Sequence, residues 1–116
     1  MSDIEIGELS TRLGEVTILD VRSAAEYSGL GGADCDPRQG HIPGARNIDV
    51  YGLMKMTPEE IHAELALEPG AELVTYCHSG SRSQFAAQVL RGLGYDARNY
   101  PGSWHEWSRT DLPSER

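Results

Sequence analysis

The stretch from Leu73 to Leu93 constrains this chain most, because its hydrophobic periodicity changes in mid-course. Leu73-Val74-Thr75-Tyr76 is short and rich in β-branched residues, the pattern of a buried strand. After Cys77-His78-Ser79-Gly80-Ser81-Arg82, a helical pattern runs from Ser83 to Leu93. Phe85, Val89 and Leu93 recur every four residues with Ala86 and Leu90 on the same face, which predicts one apolar stripe packed on a sheet. Gly92 and Gly94 supply its stop. A second β-branched run, Val16 to Val21, follows Gly14, and helical patterns at Ser23–Tyr27 and Pro58–Leu67 separate the two runs. A further short strand is expected at Ala97–Tyr100. Strands alternating with helices predict an α/β fold with a mostly parallel central sheet, helices on both faces, and ligands at the carboxyl ends of the strands.

A chain of 116 residues suits one domain, here 1–116. It has no apolar stretch of the ~20 residues a membrane span needs, so no membrane partner is expected. Its net charge of -8 argues against nucleic acid, whose phosphates call for a basic surface. The same charge repels anions at long range, so an anion site must rest on local dipoles and individual arginines. The acidic opening Met1–Glu5 lacks the basic start and apolar core of a secretory signal, and a cytoplasmic location is the expectation. Two cysteines, Cys35 and Cys77, are too few for a disulfide framework, and free thiols in a reducing compartment fit them better. Their spacing with His41, His78 and His105 matches no zinc pattern. The connection from Ser28 to Gly44 is rich in glycine and proline and reads as a long surface loop, a length often tied to function.

The chemistry concentrates at Cys77. A cysteine that ends a strand and is followed by a short loop into a helix is surrounded by inward-pointing backbone N–H groups and by the positive end of the helix dipole. That field favours thiolate, the nucleophilic form. Gly80 lets the loop curl without a side chain in the cradle, and Arg82 adds a permanent cation where substrate charge would sit. Ser79, Ser81 and Ser83 offer hydroxyl donors, with Ser83 also placed to cap the helix, and His78 stands beside the nucleophile. The competing reading is that Cys77 is simply a small buried hydrophobe at a strand end.

The sequence resembles the rhodanese family along nearly its whole length. Leu19-Asp20-Val21-Arg22 with Glu26-Tyr27, then Gly40-His41-Ile42-Pro43-Gly44-Ala45, the Cys77–Arg82 loop, and Arg98-Asn99-Tyr100 with Gly102-Ser103-Trp104-His105-Glu106-Trp107 resemble its successive signatures. Asp36-Pro37-Arg38 makes the chain most similar to the catalytic half of two-domain thiosulfate and mercaptopyruvate sulfurtransferases. The resemblance implies a single rhodanese-like domain in which Cys77 carries sulfur as a persulfide, with His78, Ser79, Gly80, Ser81, Arg82 and Ser83 lining the substrate. It also implies a ping-pong transfer from a donor such as thiosulfate to cyanide or a thiol, without cofactor. With one half present, the site is expected to be open, or covered by a protein acceptor or second subunit. The loop His78-Ser79-Gly80-Ser81-Arg82 departs from that of the animal enzymes, which bears on donor preference.

Two other readings attach to the same residues. A non-catalytic binding module of this type lacks the cysteine that this chain has. Cell-cycle phosphatases of the same fold place five residues between Cys and Arg, where four stand here, a cradle suited to one sulfur atom. Asp20 and Arg22 are read as a structural ion pair or loop anchor, and His41 as a loop brace. Cys35 is read as exposed, at least one of Trp104 and Trp107 as core, and Glu59, Glu60, Glu64 and Glu68 as a solvated face.

Overall fold

The computed structural model describes residues 3–116. Strands β1 (Thr17–Asp20), β2 (Arg46–Asn47), β3 (Glu72–Tyr76) and β4 (Asp96–Asn99) form one sheet in the order β2-β1-β3-β4, parallel throughout. β3 is central, with Leu19 opposite Thr75 and Thr75 opposite Asn99. Helices α1 (Ile6–Thr11), α2 (Ala24–Tyr27), α3 (Val50–Lys55), α4 (Pro58–Leu65), α5 (Ser81–Gly92) and α6 (Ser103–Trp107) complete the α/β architecture. No helix among the described residues is long and apolar enough to cross a membrane.

The period-two alternation of the central strands divides the core in two. Leu19, Val21, Leu73, Cys77 and Ala97 point to the side of α3, α4 and α5, whereas Ile18, Val74, Tyr76 and Tyr100 join Leu9 of α1 and Trp104 and Trp107 of α6 on the other. Both tryptophans are fully buried, each with its indole N–H donated to a backbone carbonyl, of Arg38 at 3.0 Å and of Pro113 at 2.9 Å. Reciprocal capping boxes start two helices: Ser23 with Glu26 on α2, and Thr57 with Glu60 on α4 ahead of Pro58. Glu59, Glu60, Glu64 and Glu68 are exposed, as their sequence pattern suggests.

Several local expectations shift. α4 ends at Leu65, where Ala66 adopts a left-handed conformation, not at Leu67. α5 begins at Ser81 behind Gly80, so Ser83 lies inside the helix and does not cap it. The face of α5 that meets the sheet is Ser83, Ala86, Ala87 and Leu90, while Phe85 is 42% exposed. Strict four-residue spacing drifts around a helix of 3.6 residues per turn, and the small side chains of Ala86 and Ala87 allow a closer approach to the strands than Phe85 does. Phe85 instead borders an apolar groove with Met54, Ile61 and Val89.

Candidate active site

β3 delivers Cys77 to the carboxyl edge of the sheet, on the face covered by α5, and the residue is 1% exposed. Its own backbone is fixed by α6: the Cys77 N–H donates to Ser103 Oγ at 3.1 Å, and its carbonyl accepts from the Trp104 N–H at 2.9 Å. The His78 carbonyl accepts from the His105 N–H at 2.9 Å, so loop and helix run together for two residues. At Gly80 the chain takes φ +100°, and a Cβ there would stand 2.7 Å from the Pro101 carbonyl oxygen. Only glycine meets both demands.

Donors converge on the sulfur. Gly80 N–H donates to Sγ at 3.1 Å and the Ser83 hydroxyl lies 3.3 Å from it. Burial pushes the thiol up. The Ser83 hydroxyl and the backbone N–H groups of Ser83, Gly80 and Ser79 outweigh it, and the net direction is down, toward thiolate. Cys77 is therefore both a buried core residue and one whose anion is solvated by the protein. Burial as a small apolar side chain and convergence of donors on its sulfur therefore coexist in this cysteine.

The remaining loop residues divide. Ser83 is buried against the sulfur, whereas Ser79 and Ser81 are exposed and give no side-chain hydrogen bond to Sγ. Arg82 faces Glu26, with its NH1 3.1 Å from Oε1 and its NH2 3.3 Å from Oε2. This pairing holds the Glu26 carboxyl below its ordinary range against the opposing effect of burial. The Arg82 charge is thus partly neutralised by a residue 56 positions away, a pairing that no local motif announces. His78 turns toward Asp36, with Nε2 3.0 Å from Oδ2.

Around this centre the other signature residues are structural. Asp20 and Arg22, both fully buried, form an ion pair at 2.7 Å, and Arg22 also donates to the Gly40 carbonyl at 2.5 Å, tying β1 to the long loop. His41 stacks on Tyr27 at 3.7 Å and binds the Tyr27 carbonyl through Nδ1 at 2.8 Å, a brace for the same loop. Arg38 donates to the carbonyls of Trp107, Ser108 and Leu112. Cys35 is free and exposed.

The Rhodanese-like domain model matches residues 5–110. The chain belongs to the rhodanese-like family. This rhodanese-like chain is 32% identical over 119 residues to a thiosulfate sulfurtransferase of Pseudomonas aeruginosa, a match covering 92% of the chain and 43% of that protein. A crystal structure of a probable thiosulfate sulfurtransferase superposes with a TM-score of 0.87 at 42% identity, over 98% of this chain and 47% of that one. The enzyme EanB, solved as a cysteine persulfide with ergothioneine, superposes with a TM-score of 0.88 at 26% identity, over 99% of this chain and 28% of its own. The rhodanese-like chain thus spans less than half the length of these relatives.

Proposed function

We propose that this rhodanese-like chain is a sulfurtransferase in which Cys77 carries the transferred sulfur as a persulfide. In the first half-reaction the Cys77 thiolate attacks the outer sulfur of a thiosulfate-like donor. The donor's S–S bond breaks, and sulfite leaves with the electron pair. In the second, cyanide or a thiolate attacks the terminal sulfur, the Cys77 S–S bond breaks, and the cysteine thiolate returns. Atoms and charge balance without a metal or organic cofactor.

The observation that carries this reading is the pair of donors on Sγ, Gly80 N–H and the Ser83 hydroxyl, in a loop only four residues long between Cys77 and Arg82. A binding module has no need to bias a buried thiol toward its anion, and a phosphoryl group needs a wider cradle. His78, Ser79, Ser81 and Arg82 at the rim are proposed to meet the donor, with Glu26 limiting how much charge Arg82 offers. A second subunit, or a protein that accepts the sulfur, is proposed to cover the site. The 1–116 stretch is read as one domain, at work in the cytoplasm, where reducing conditions keep Cys35 and Cys77 as thiols.

Steady-state turnover with thiosulfate and cyanide tests the proposal. Parallel double-reciprocal lines, thiocyanate as product and complete loss in Cys77→Ser are expected. Intersecting lines, or turnover that survives Cys77→Ser, would overturn it. The same preparation is expected to leave an aryl phosphate intact.

A further inference from the structure

We propose that Cys35, Asp36 and His78 form a binding site for a zinc-class divalent cation at the rim of the Cys77 loop. The Cys35 thiol, an Asp36 carboxylate oxygen and a His78 ring nitrogen all lie within 4.8 Å of one another. Sulfur, nitrogen and a single carboxylate suit zinc, not the all-oxygen shells of calcium or magnesium. Donors at ~2.0–2.3 Å from a tetrahedral zinc stand about 3.3–3.8 Å apart. The Asp36–His78 pair, at 3.0 Å, already stands near that spacing, and the exposed Cys35 is the member free to adjust.

Asp36 supplies an independent observation. Its side chain has no solvent exposure, and Arg109 donates to Oδ1 at 2.9 Å, yet Oδ2 accepts no hydrogen bond. His78 Nε2 faces Oδ2 at 3.0 Å and makes no hydrogen bond either. In the tautomer that leaves a lone pair on Nε2 the two atoms face each other as acceptors, and only a cation between them satisfies both. A proton on His78 would serve that pair alone. A metal ion serves the pair and also engages the thiol of Cys35.

The surroundings fit an outer shell. Arg109 donates to the Cys35 carbonyl at 2.9 Å as well as to Asp36, fixing the loop that carries both ligands. His105 Nδ1 lies 3.7 Å from Asp36 Oδ1 and its ring meets His78 edge-on, so a fourth position falls to His105 or to water. Binding releases the Cys35 thiol proton to solvent and changes no oxidation state. Because His78 adjoins Cys77, the bound ion pins the rim residue next to the nucleophile and slows sulfur transfer.

The test uses Cys77→Ser protein, which removes the other thiol, titrated with cobalt(II) in a phosphine reductant. A thiolate-to-cobalt charge-transfer band saturating at one equivalent, and bleached by zinc, is expected. Adding Cys35→Ser is expected to abolish the band and weaken binding by about 10-fold or more. Cys35 is exposed and outside the catalytic loop, so this variant keeps its fold. Absence of the band, or affinity unchanged by Cys35→Ser, overturns the site. In protein with Cys77 intact, zinc is expected to slow turnover, chelation to restore it, and Cys35→Ser to remove the sensitivity. Inhibition that persists in Cys35→Ser places the zinc on Cys77 and also overturns the proposal. The cobalt titration stands whether or not turnover is found, which separates this proposal from the sulfurtransferase reading.

Discussion

Ser83→Ala isolates the one side-chain donor among the described residues that reaches the sulfur. Hydrogen bonds to charged groups contribute roughly 1.5–3 kcal/mol. The Ser83 hydroxyl lies at a long 3.3 Å and shares its single proton with the Gly80 carbonyl at 3.2 Å, which argues for the low end. About 1.4 kcal/mol is a tenfold change in an ionisation equilibrium, so the variant's thiol is expected to ionise about tenfold less readily. Gly80 N–H remains, and so does part of the bias toward thiolate. Reactivity does not simply follow the anion, because a more basic thiolate is a better nucleophile. With a Brønsted coefficient of about 0.4–0.5, each remaining thiolate attacks a disulfide roughly threefold faster. Reaction with an aromatic disulfide, followed against pH, is therefore expected to fall about threefold below the midpoint and to rise about threefold on the alkaline plateau, with the midpoint displaced upward. Ser81→Ala, which removes an exposed hydroxyl, serves as the control. A Ser83→Ala profile that overlays wild type, or a midpoint moved downward, would refute the claim that this hydroxyl solvates the sulfur anion.

Other outcomes follow from the same geometry. Because the folded Cys77 thiol ionises at lower pH than its unfolded counterpart at about 8.5, its contribution to stability is fully present above that value and is lost as pH falls through the folded one. The urea stability of wild type minus that of Cys77→Ala is expected to grow with pH across this window, and a flat difference contradicts the assignment. Gly80→Ala puts a Cβ 2.7 Å from the Pro101 carbonyl oxygen at a positive φ, and is expected to cost about 2 kcal/mol or more in urea denaturation and to impair sulfur loading. Arg22→Met leaves Asp20 buried without its cation, with an expected loss of about 3–5 kcal/mol by the same method. Glu26→Gln frees Arg82 from its bidentate partner and is expected to lower KM for an anionic donor, whereas Arg82→Ala raises it, with smaller changes for a neutral donor.

What the sequence disclosed was local. The strands β1 and β3 follow from β-branched runs, and α2 and α4 from short helical patterns, the second opened by Pro58. Cys77 and Gly80 were legible because a strand, a loop and a helix in immediate succession already define their surroundings. Asp20 with Arg22 was legible as a pair for the same reason. Short helices such as α3 and α6 carry too few turns for an apolar period to stand out, and α6 opens on Ser103 at φ +55°, against its residue type. Its position comes from tertiary bonds to Cys77 and His78. Arg82 with Glu26, and Asp36 with His78, His105 and Arg109, join residues dozens of positions apart. Their partners are chosen by the folded topology, which no spacing rule encodes. Ser83 is the instructive case between these extremes. Its residue type announced a hydrogen-bonding role at the helix start, but once Gly80 takes the cap, the hydroxyl turns inward to the sulfur.

Intact-mass spectrometry of the reduced protein after exposure to thiosulfate bears most directly on the central claim. A gain of about one sulfur atom, ~32 Da, mapped to Cys77 and removed by cyanide, is the expected result. An unchanged mass, or sulfur carried by Cys35 with Cys77 unmodified, would contradict it.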